Sequence, residues 1–311
     1  MISCGKSFIM QIEILPSHKI DKQKWDDCIK NSCNPLIYAT SVYLDCMADN
    51  WDGLILNDYE AVMPLPWRKK YFIKYIYTPA FTQQLGIFSN FSLNENIINI
   101  FLKNIPGDFK YIEINCHSGM KMPNWLVQNG KNYLLDILGS YEEIKKNYSR
   151  SAVRNINKAK TSNVSIRTDV NSNLIIQLHQ KRFSNNIGVT QKDYNKFSSL
   201  ANALKSANAC YTFGAFMQQQ LIAGSIYFLY KNRVVFIFNG NSKESLVNGA
   251  THLLKDEAIK FFANKVEYMD FEGSNNPDFA RFYQQYGAKN YELYSKIRIN
   301  RLPKLLQLFK R

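Results

Sequence analysis

The sequence predicts an α+β fold built from two copies of one domain, each a mixed, mainly antiparallel sheet flanked by helices. A series of hairpin strands, a helix and a closing strand occurs twice at an offset of roughly 155 to 160 residues, too long for a solenoid repeat and suited to a duplicated domain. In each copy the hairpins come first and a helix-crossed strand pair last, an order that favours a mixed sheet over a doubly wound parallel one. With 46% hydrophobic and 14% aromatic residues, the chain can fill two ordinary cores.

The first copy opens with a strand at Met10 to Leu15 and two short amphipathic helices, near Lys22 to Lys30 and Ser41 to Ala48. Runs rich in β-formers follow at Trp51 to Leu56 and Glu60 to Pro66, joined by Asn57 and Asp58 as a hairpin requires, and at Phe72 to Tyr77. A helix at Glu95 to Leu102 and a strand at Tyr111 to Ile114 complete the series. Helices at Tyr141 to Lys160, Ile175 to Arg182 and Lys192 to Ala207 precede the second set of strands, at Tyr211 to Met217, Leu221 to Tyr230 and Val234 to Phe238. A helix from Ala250 to Phe262 then leads to a strand at Glu267 to Phe271. A short helix with Pro277 in its first turn stops at Gly287, before a last strand. Residues 1–139 are thus expected to form one domain and residues 140–311 the other.

Several function classes drop out on composition. The longest apolar runs, such as Leu221 to Tyr230, reach about half of the roughly 20 residues that a spanning helix needs, so no transmembrane segment is expected. Phe8 to Met10 is too short for a secretory core, and the expected location is the cytoplasm. Six cysteines without a C-x-x-C pair read as reduced, mostly buried thiols. The four histidines stand far apart, so neither a metal site nor a nucleophilic triad is expected. G-x-G-x-x-G and Walker A sequences are absent. Charge is unevenly shared: residues 1–139 carry 13 Lys+Arg against 13 Asp+Glu, and residues 140–311 carry 26 against 12. An anionic ligand or partner therefore belongs to the second copy.

The chemistry is concentrated there as well. Asn248, Gly249, Ala250 and Thr251 start a helix with small residues, which leaves backbone amides approachable; such a start is either a plain cap or a phosphate site. The strand after that helix ends in the sequence DFEGS, with Asp270 and Glu272 on one face by alternation. Either carboxylate can accept a proton from an amine, or form an ion pair with Arg281 or Arg298. Phe279, Phe282 and Tyr286 make the apolar face of the next helix, while Tyr283 falls on another face and can reach a cleft. Lys146, Arg150, Arg154 and Lys158 recur every fourth residue, and if one helix carries them they form a cationic stripe, which Arg182 from the next helix can join. The last residues, Arg301 to Arg311, alternate leucines with basic positions and read as a docked helix or as a weak contact with an acidic membrane surface.

The region from Cys210 to Arg301 resembles the GNAT superfamily of acyl-CoA N-acyltransferases. Ala280, Tyr283, Gly287 and Ala288 match its closing A-x-x-l-Y-x-x-x-G-F segment, with one residue fewer between Ala and Tyr. From Tyr141 through DFEGS to Pro303 the chain is similar to the BioF2-like (CelD/BcsL-type) acetyltransferases and their Fem-type relatives, which duplicate that fold. The resemblance implies acetyl-CoA or another acyl-CoA as donor and no metal. The amides around Asn248 to Thr251 would hold the pyrophosphate, Glu272 or Asp270 would act as base, and Tyr283 would protonate the leaving thiolate. Arg150, Arg154, Lys158 and Arg182 would face an anionic acceptor, a small molecule or a cell-envelope precursor. Thr78 to Phe88 looks like the loop that faces the cleft in such proteins. Ile114, Asn115 and Cys116 replace the acidic strand end in the first copy, which reads as a degenerate partner shaping the acceptor cleft. Fem-type enzymes draw an amino acid from charged tRNA and carry Phe-Lys where this chain has Phe282 and Tyr283. Aminoacyl transfer to a cell-wall precursor is therefore the second expectation, and a non-catalytic protein that binds nucleic acid or a membrane surface is the third.

Overall fold

The computed structural model describes residues 11–117, 126–183, 188–273, 275–288 and 290–303. Met10, Ser274 and the basic stretch beyond Pro303 lie outside these residues. Elements appear in the expected order: β1 (Ile12–Pro16), α1 (Lys22–Asn31), α2 (Ser41–Met47), β2 (Asn50–Leu56), β3 (Ala61–Lys70), β4 (Ile73–Ile76), the two-residue β5 (Phe88–Ser89), α3 (Glu95–Lys103) and β6 (Phe109–Cys116). Then come β7 (Leu126–Asp136), α4 (Tyr141–Lys146), α5 (Arg150–Thr161), β8 (Ser165–Thr168), α6 (Ser172–Phe183), α7 (Gln191–Ser206), β9 (Cys210–Met217), β10 (Gln220–Tyr230) and β11 (Arg233–Asn241). The chain closes with α8 (Lys243–Val247), α9 (Ala250–Phe262), β12 (Tyr268–Gly273), α10 (Pro277–Gln284) and β13 (Asn290–Asn300).

By contact the chain divides into two compact units, one of residues 1–78, 84–128 and 295–311, the other of residues 79–83 and 129–294. In the first, β1, β2, β3 and β4 pair antiparallel in sequence order, and β4 then pairs parallel with β6 across α3. Ser295–Asn300 of β13 lies antiparallel to β6, with Ile297 opposite Ile114. Trp25, Tyr38, Tyr43, Phe101 and Phe109 are fully buried, and the Trp25 indole donates to the Ala39 carbonyl at 2.8 Å. In the second, β8, β9, β10 and β11 pair antiparallel, and β11 pairs parallel with β12 across α8 and α9. β12 in turn runs antiparallel to β7. Each unit thus has a meander followed by a parallel, helix-crossed strand, which is the duplication expected from the sequence.

Two departures have clear causes. The condition on which the cationic stripe rested, one helix through Tyr141–Lys160, is not met: Asn147 ends α4, and the Ser149 side chain accepts the Ala152 amide at 3.1 Å to start α5. Lys146 therefore does not share a helix with Arg150, Arg154 and Lys158. β7 was hidden by Asn129-Gly130, a pair that normally marks a turn. Here Gly130 lies in a strand because the Tyr294 ring covers it, and a Cβ would lie 2.1 Å from that ring.

The strand junction that positions the site is short. β11 and β12 pair through only three residue pairs, Arg233 with Tyr268, Val234 with Met269 and Val235 with Asp270, after which β11 runs on to Asn241 against β10 alone. β12 has a bulge between Asp270 and Gly273, with Glu272 at φ 60° and its amide donating to Asp270 Oδ1 at 2.7 Å. The regular alternation that would put Asp270 and Glu272 on one face is thereby interrupted. Asp270 is 0% exposed; Arg233 Nη1 reaches it at 3.1 Å and Asn132 Nδ2 at 3.2 Å, and the same guanidinium also holds Glu292 at 3.0 Å.

A buried carboxylate stripped of its cation is costly, whereas an apolar replacement of both partners is not. Arg233→Met is expected to destabilise the protein by about 3–5 kcal/mol, and Arg233→Met with Asp270→Leu to recover most of that loss. Urea unfolding midpoints of the two variants against the parent measure this.

Candidate active site

A pocket of about 450 Å³ opens in the second unit where β11 leaves β12. Phe236, Asn239, Gly240 and Asn241 of β11 line one side, Leu246, Thr251, Leu254 and Lys255 of α8 and α9 another, and Phe279, Phe282 and Tyr283 of α10 a third. α10 is placed by its own first turn, with Pro277 at its start and Asn276 accepting the Asp278 amide at 2.9 Å. Tyr283 is buried with its ring stacked on Phe271, centroids 4.8 Å apart and planes 5° from parallel. Burial first, then the charges of Glu272 and Asp270, push its phenol upward from the ordinary tyrosine value. A protonated hydroxyl at a pocket wall can serve as a proton donor. Phe279, expected in the core, is instead 57% exposed and lines the pocket.

The predicted donor-binding residues divide. Thr251 lines the pocket. Asn248 caps the helix, its Oδ1 accepting the Ala250 amide at 3.0 Å, and Ala250 is fully buried. Gly249 has φ 77°, and a Cβ there would stand 2.2 Å from the Asn155 carbonyl oxygen, so glycine permits the close approach of α5. The His252 and Leu253 amides return to the Gly249 carbonyl at 3.0 and 3.2 Å.

Neither Asp270 nor Glu272 is among the residues lining the pocket. Arg150, Arg154 and Lys158 are exposed on α5 and line neither it nor the neighbouring cavity of about 530 Å³. Arg182 does line that second cavity, with Lys181, Gln220 and Lys243, and donates to Asn241, which borders both spaces. Pro79–Gln83, from the loop singled out in the first half, belongs by contact to the second unit. There Phe81 packs on Phe197 and Phe238 at 4.8 and 5.3 Å, and the Gln83 amide donates to Asn132 at 3.0 Å.

Sequence reasoning missed Lys255. It is 3% exposed, its ammonium lies 3.0 Å from the Phe236 ring centroid, and Nζ donates to the Tyr227 hydroxyl at 3.0 Å. No carboxylate pairs with it among the described residues, and burial drives its pKa well below the usual lysine value. The signal was present: Lys255 follows Thr251 by one helical turn and precedes the buried Ala258 by three residues, on the inward face of α9. His252, one turn earlier, bonds Tyr286 Oη at 2.8 Å, and burial lowers it to about 4.

No protein-family model and no curated protein matches the sequence. Solved structures do. FemX superposes with a TM-score of 0.65 at 12% identity, covering 96% of this chain and 100% of that one. The C-terminal domain of a putative lysylphosphatidylglycerol synthetase from Agrobacterium fabrum gives 0.59 at 8% identity, covering 93% and 95%. A tandem GNAT protein from the clavulanic acid biosynthesis pathway gives 0.57 at 10% identity, covering 94% and 100%. At such identities the likeness establishes the fold: a duplicated GNAT-like fold of the Fem and tandem GNAT type.

The state of Lys255 has a measurable consequence. Its folded-state pKa lies below the unfolded value of 10.5, so between the two the unfolded chain binds the extra proton and stability rises with pH. Lys255→Met removes that penalty. The variant is expected to melt above the parent at pH 7, with the gap narrowing as pH approaches 10.5; paired thermal melts at pH 7 and 10 test it.

Proposed function

We propose that the protein is an acyltransferase that moves an acyl group, in the simplest case acetyl, from coenzyme A to a primary amine by direct attack in a ternary complex. The observation that carries this reading is Tyr283, buried and stacked on Phe271, at the wall of the pocket that opens where β11 and β12 stop pairing. The amine nitrogen bonds to the thioester carbonyl carbon, the carbon–sulfur bond breaks, and the Tyr283 hydroxyl protonates the departing thiolate. The amine gives up its proton to a carboxylate, and Glu272 suits this better than Asp270. Asp270 is fully buried and committed to Arg233 and Asn132, whereas Glu272 is half-buried and its charge is felt at Tyr283. The anionic end of the donor is placed toward the start of α9 at Thr251, where the helix dipole is positive, with Asn248, Gly249 and Ala250 shaping the turn.

The acceptor in this reading carries negative charge. Arg182 and its neighbours Lys181 and Lys243 border the adjoining cavity, and Arg150, Arg154 and Lys158 add to the positive field of the same unit. The likeness to FemX favours a second reading, in which the donor is a charged tRNA and the acceptor a cell-envelope precursor. It requires tRNA binding that weakens steeply with salt.

Tyr283→Phe is expected to lower kcat by about 10²-fold or more, the range typical of a lost general acid, while coenzyme A affinity stays near that of the parent. Thiol release with a panel of amines, beside calorimetric titration of coenzyme A, measures both. Unchanged turnover would remove Tyr283 from the mechanism, and stabilisation by charged tRNA without stabilisation by acetyl-CoA would select the second reading.

A further inference from the structure

The turn between β3 and β4 consists of Tyr71 and Phe72, both at positive φ, 47° and 66°. Such a two-residue turn is normally filled by Asn-Gly, because bulky side chains are strained there. Neither ring recovers that strain by packing: Tyr71 is 82% exposed and Phe72 92%. The chain supplies its own comparison in the β9–β10 turn, where Gln218 and Gln219 have nearly the same angles, 48° and 67°. The backbone shape therefore accepts polar residues, and the choice of two aromatics at β3–β4 has another origin.

Charge accompanies the rings. Lys69 and Lys70 immediately precede them, are exposed, and form no ion pair among the described residues. Their ammonium groups hover over the turn, Lys69 Nζ 5.6 Å from the Phe72 centroid and Lys70 Nζ 5.4 Å from that of Tyr71. Lys74, directly opposite Lys69 in the hairpin, is paired with Asp108 at 2.9 Å, so Lys69 and Lys70 are the cations left unpaired at the tip. No Asp or Glu occurs between Ala61 and Tyr77.

We propose that this hairpin tip docks on an anionic lipid surface, with Tyr71 and Phe72 at the depth of the headgroups and Lys69 and Lys70 against the lipid phosphates. Tyr71, with its polar hydroxyl, favours that depth, the apolar Phe72 ring favours the adjoining headgroup–acyl boundary, and each lysine near an acidic leaflet adds attraction that salt screens. Two rings and two lysines make a reversible contact, not an anchor. Lipid is favoured over a protein groove because two unpaired cations flank the rings while the nearby acid, Asp108, is already held by Lys74, an arrangement that matches a continuous negative surface. The inference is independent of the transferase reading.

The test is flotation of the full chain with phosphatidylglycerol-containing vesicles and with pure phosphatidylcholine vesicles. The parent is expected to float with the former and to be released by high salt. Tyr71→Asn with Phe72→Gly suits the turn and should fold at least as stably, which a thermal melt checks, yet partition about tenfold more weakly or less. Gln218→Asn with Gln219→Gly, the matched change in the other turn, should float like the parent. A parent that fails to float, a Tyr71/Phe72 variant that floats undiminished, or equal loss in the Gln218/Gln219 variant overturns the proposal, as does binding to single-stranded nucleic acid without binding to vesicles.

Discussion

Two parallel strands that pair for three residues and then part need something to hold the root of the fork, and Asp270 does so. Its carboxylate lies entirely out of solvent, with Arg233 from the neighbouring strand and Asn132 from the strand on the other side closing on it. Isolated burial of that charge would be prohibitive, and burial does raise its pKa, but a guanidinium and an amide together return enough to keep it in place. What the pair supplies is position: β11 cannot slide past β12 without separating the two charges. Above this junction β12 bulges, β11 continues alone, and the space between receives α10 with Tyr283. Asp270 and Glu272 add to burial in pushing the Tyr283 phenol upward, so the group that fixes the fork also acts on the group in the pocket.

Legibility from sequence followed the range of the interactions involved. Hairpin turns, amphipathic spacing and caps are local, and the element order and the duplication could be read from them. β7 could not, because its Asn129-Gly130 pair mimics a turn and only the distant Tyr294 ring explains the glycine. The break at Asn147 was visible in principle, since Ser149 stands just before a new apolar repeat, but the fourfold cationic spacing disguised it. In the site, Tyr283 was singled out by helical face and Thr251 by the small residues at a helix start, and both line the pocket, whereas Asp270 could not be told from Glu272. Strand alternation treats the two alike, and what separates them is a bulge and an arginine 37 positions away. Lys255 was overlooked because a lysine within a helix ordinarily snorkels to water, and here it is enclosed by Tyr227, Phe236 and Phe271.

Places where a chain breaks local rules are of two kinds, and this one shows both. Gly130 is unfavourable in a strand only until its neighbour is considered, since the Tyr294 ring occupies the space a side chain would need; Gly249, at a helix start that glycine suits, likewise meets the Asn155 carbonyl. Lys255 and Glu272 are different. A methionine would fill the aromatic box with less desolvation cost, and an asparagine or glycine would sit at φ 60° with less strain than glutamate.

That asymmetry bears on where activity resides. Natural sequences are locally consistent except where another demand overrides stability. Here two departures that packing does not repay fall close together in the second unit: Lys255 lines the pocket, and Glu272 acts electrostatically on the tyrosine that also lines it. Other acids and cations of that unit are paired in ordinary ways, as Lys205 with Asp169 and Arg281 with Asp278 illustrate. The buried Lys255 amine and the left-handed backbone at Glu272 each cost stability. Their retention beside the Tyr283 phenol is understandable if charge moves there during turnover, since an amine whose pKa burial lowers, a phenol and a carboxylate are groups able to exchange protons with a substrate.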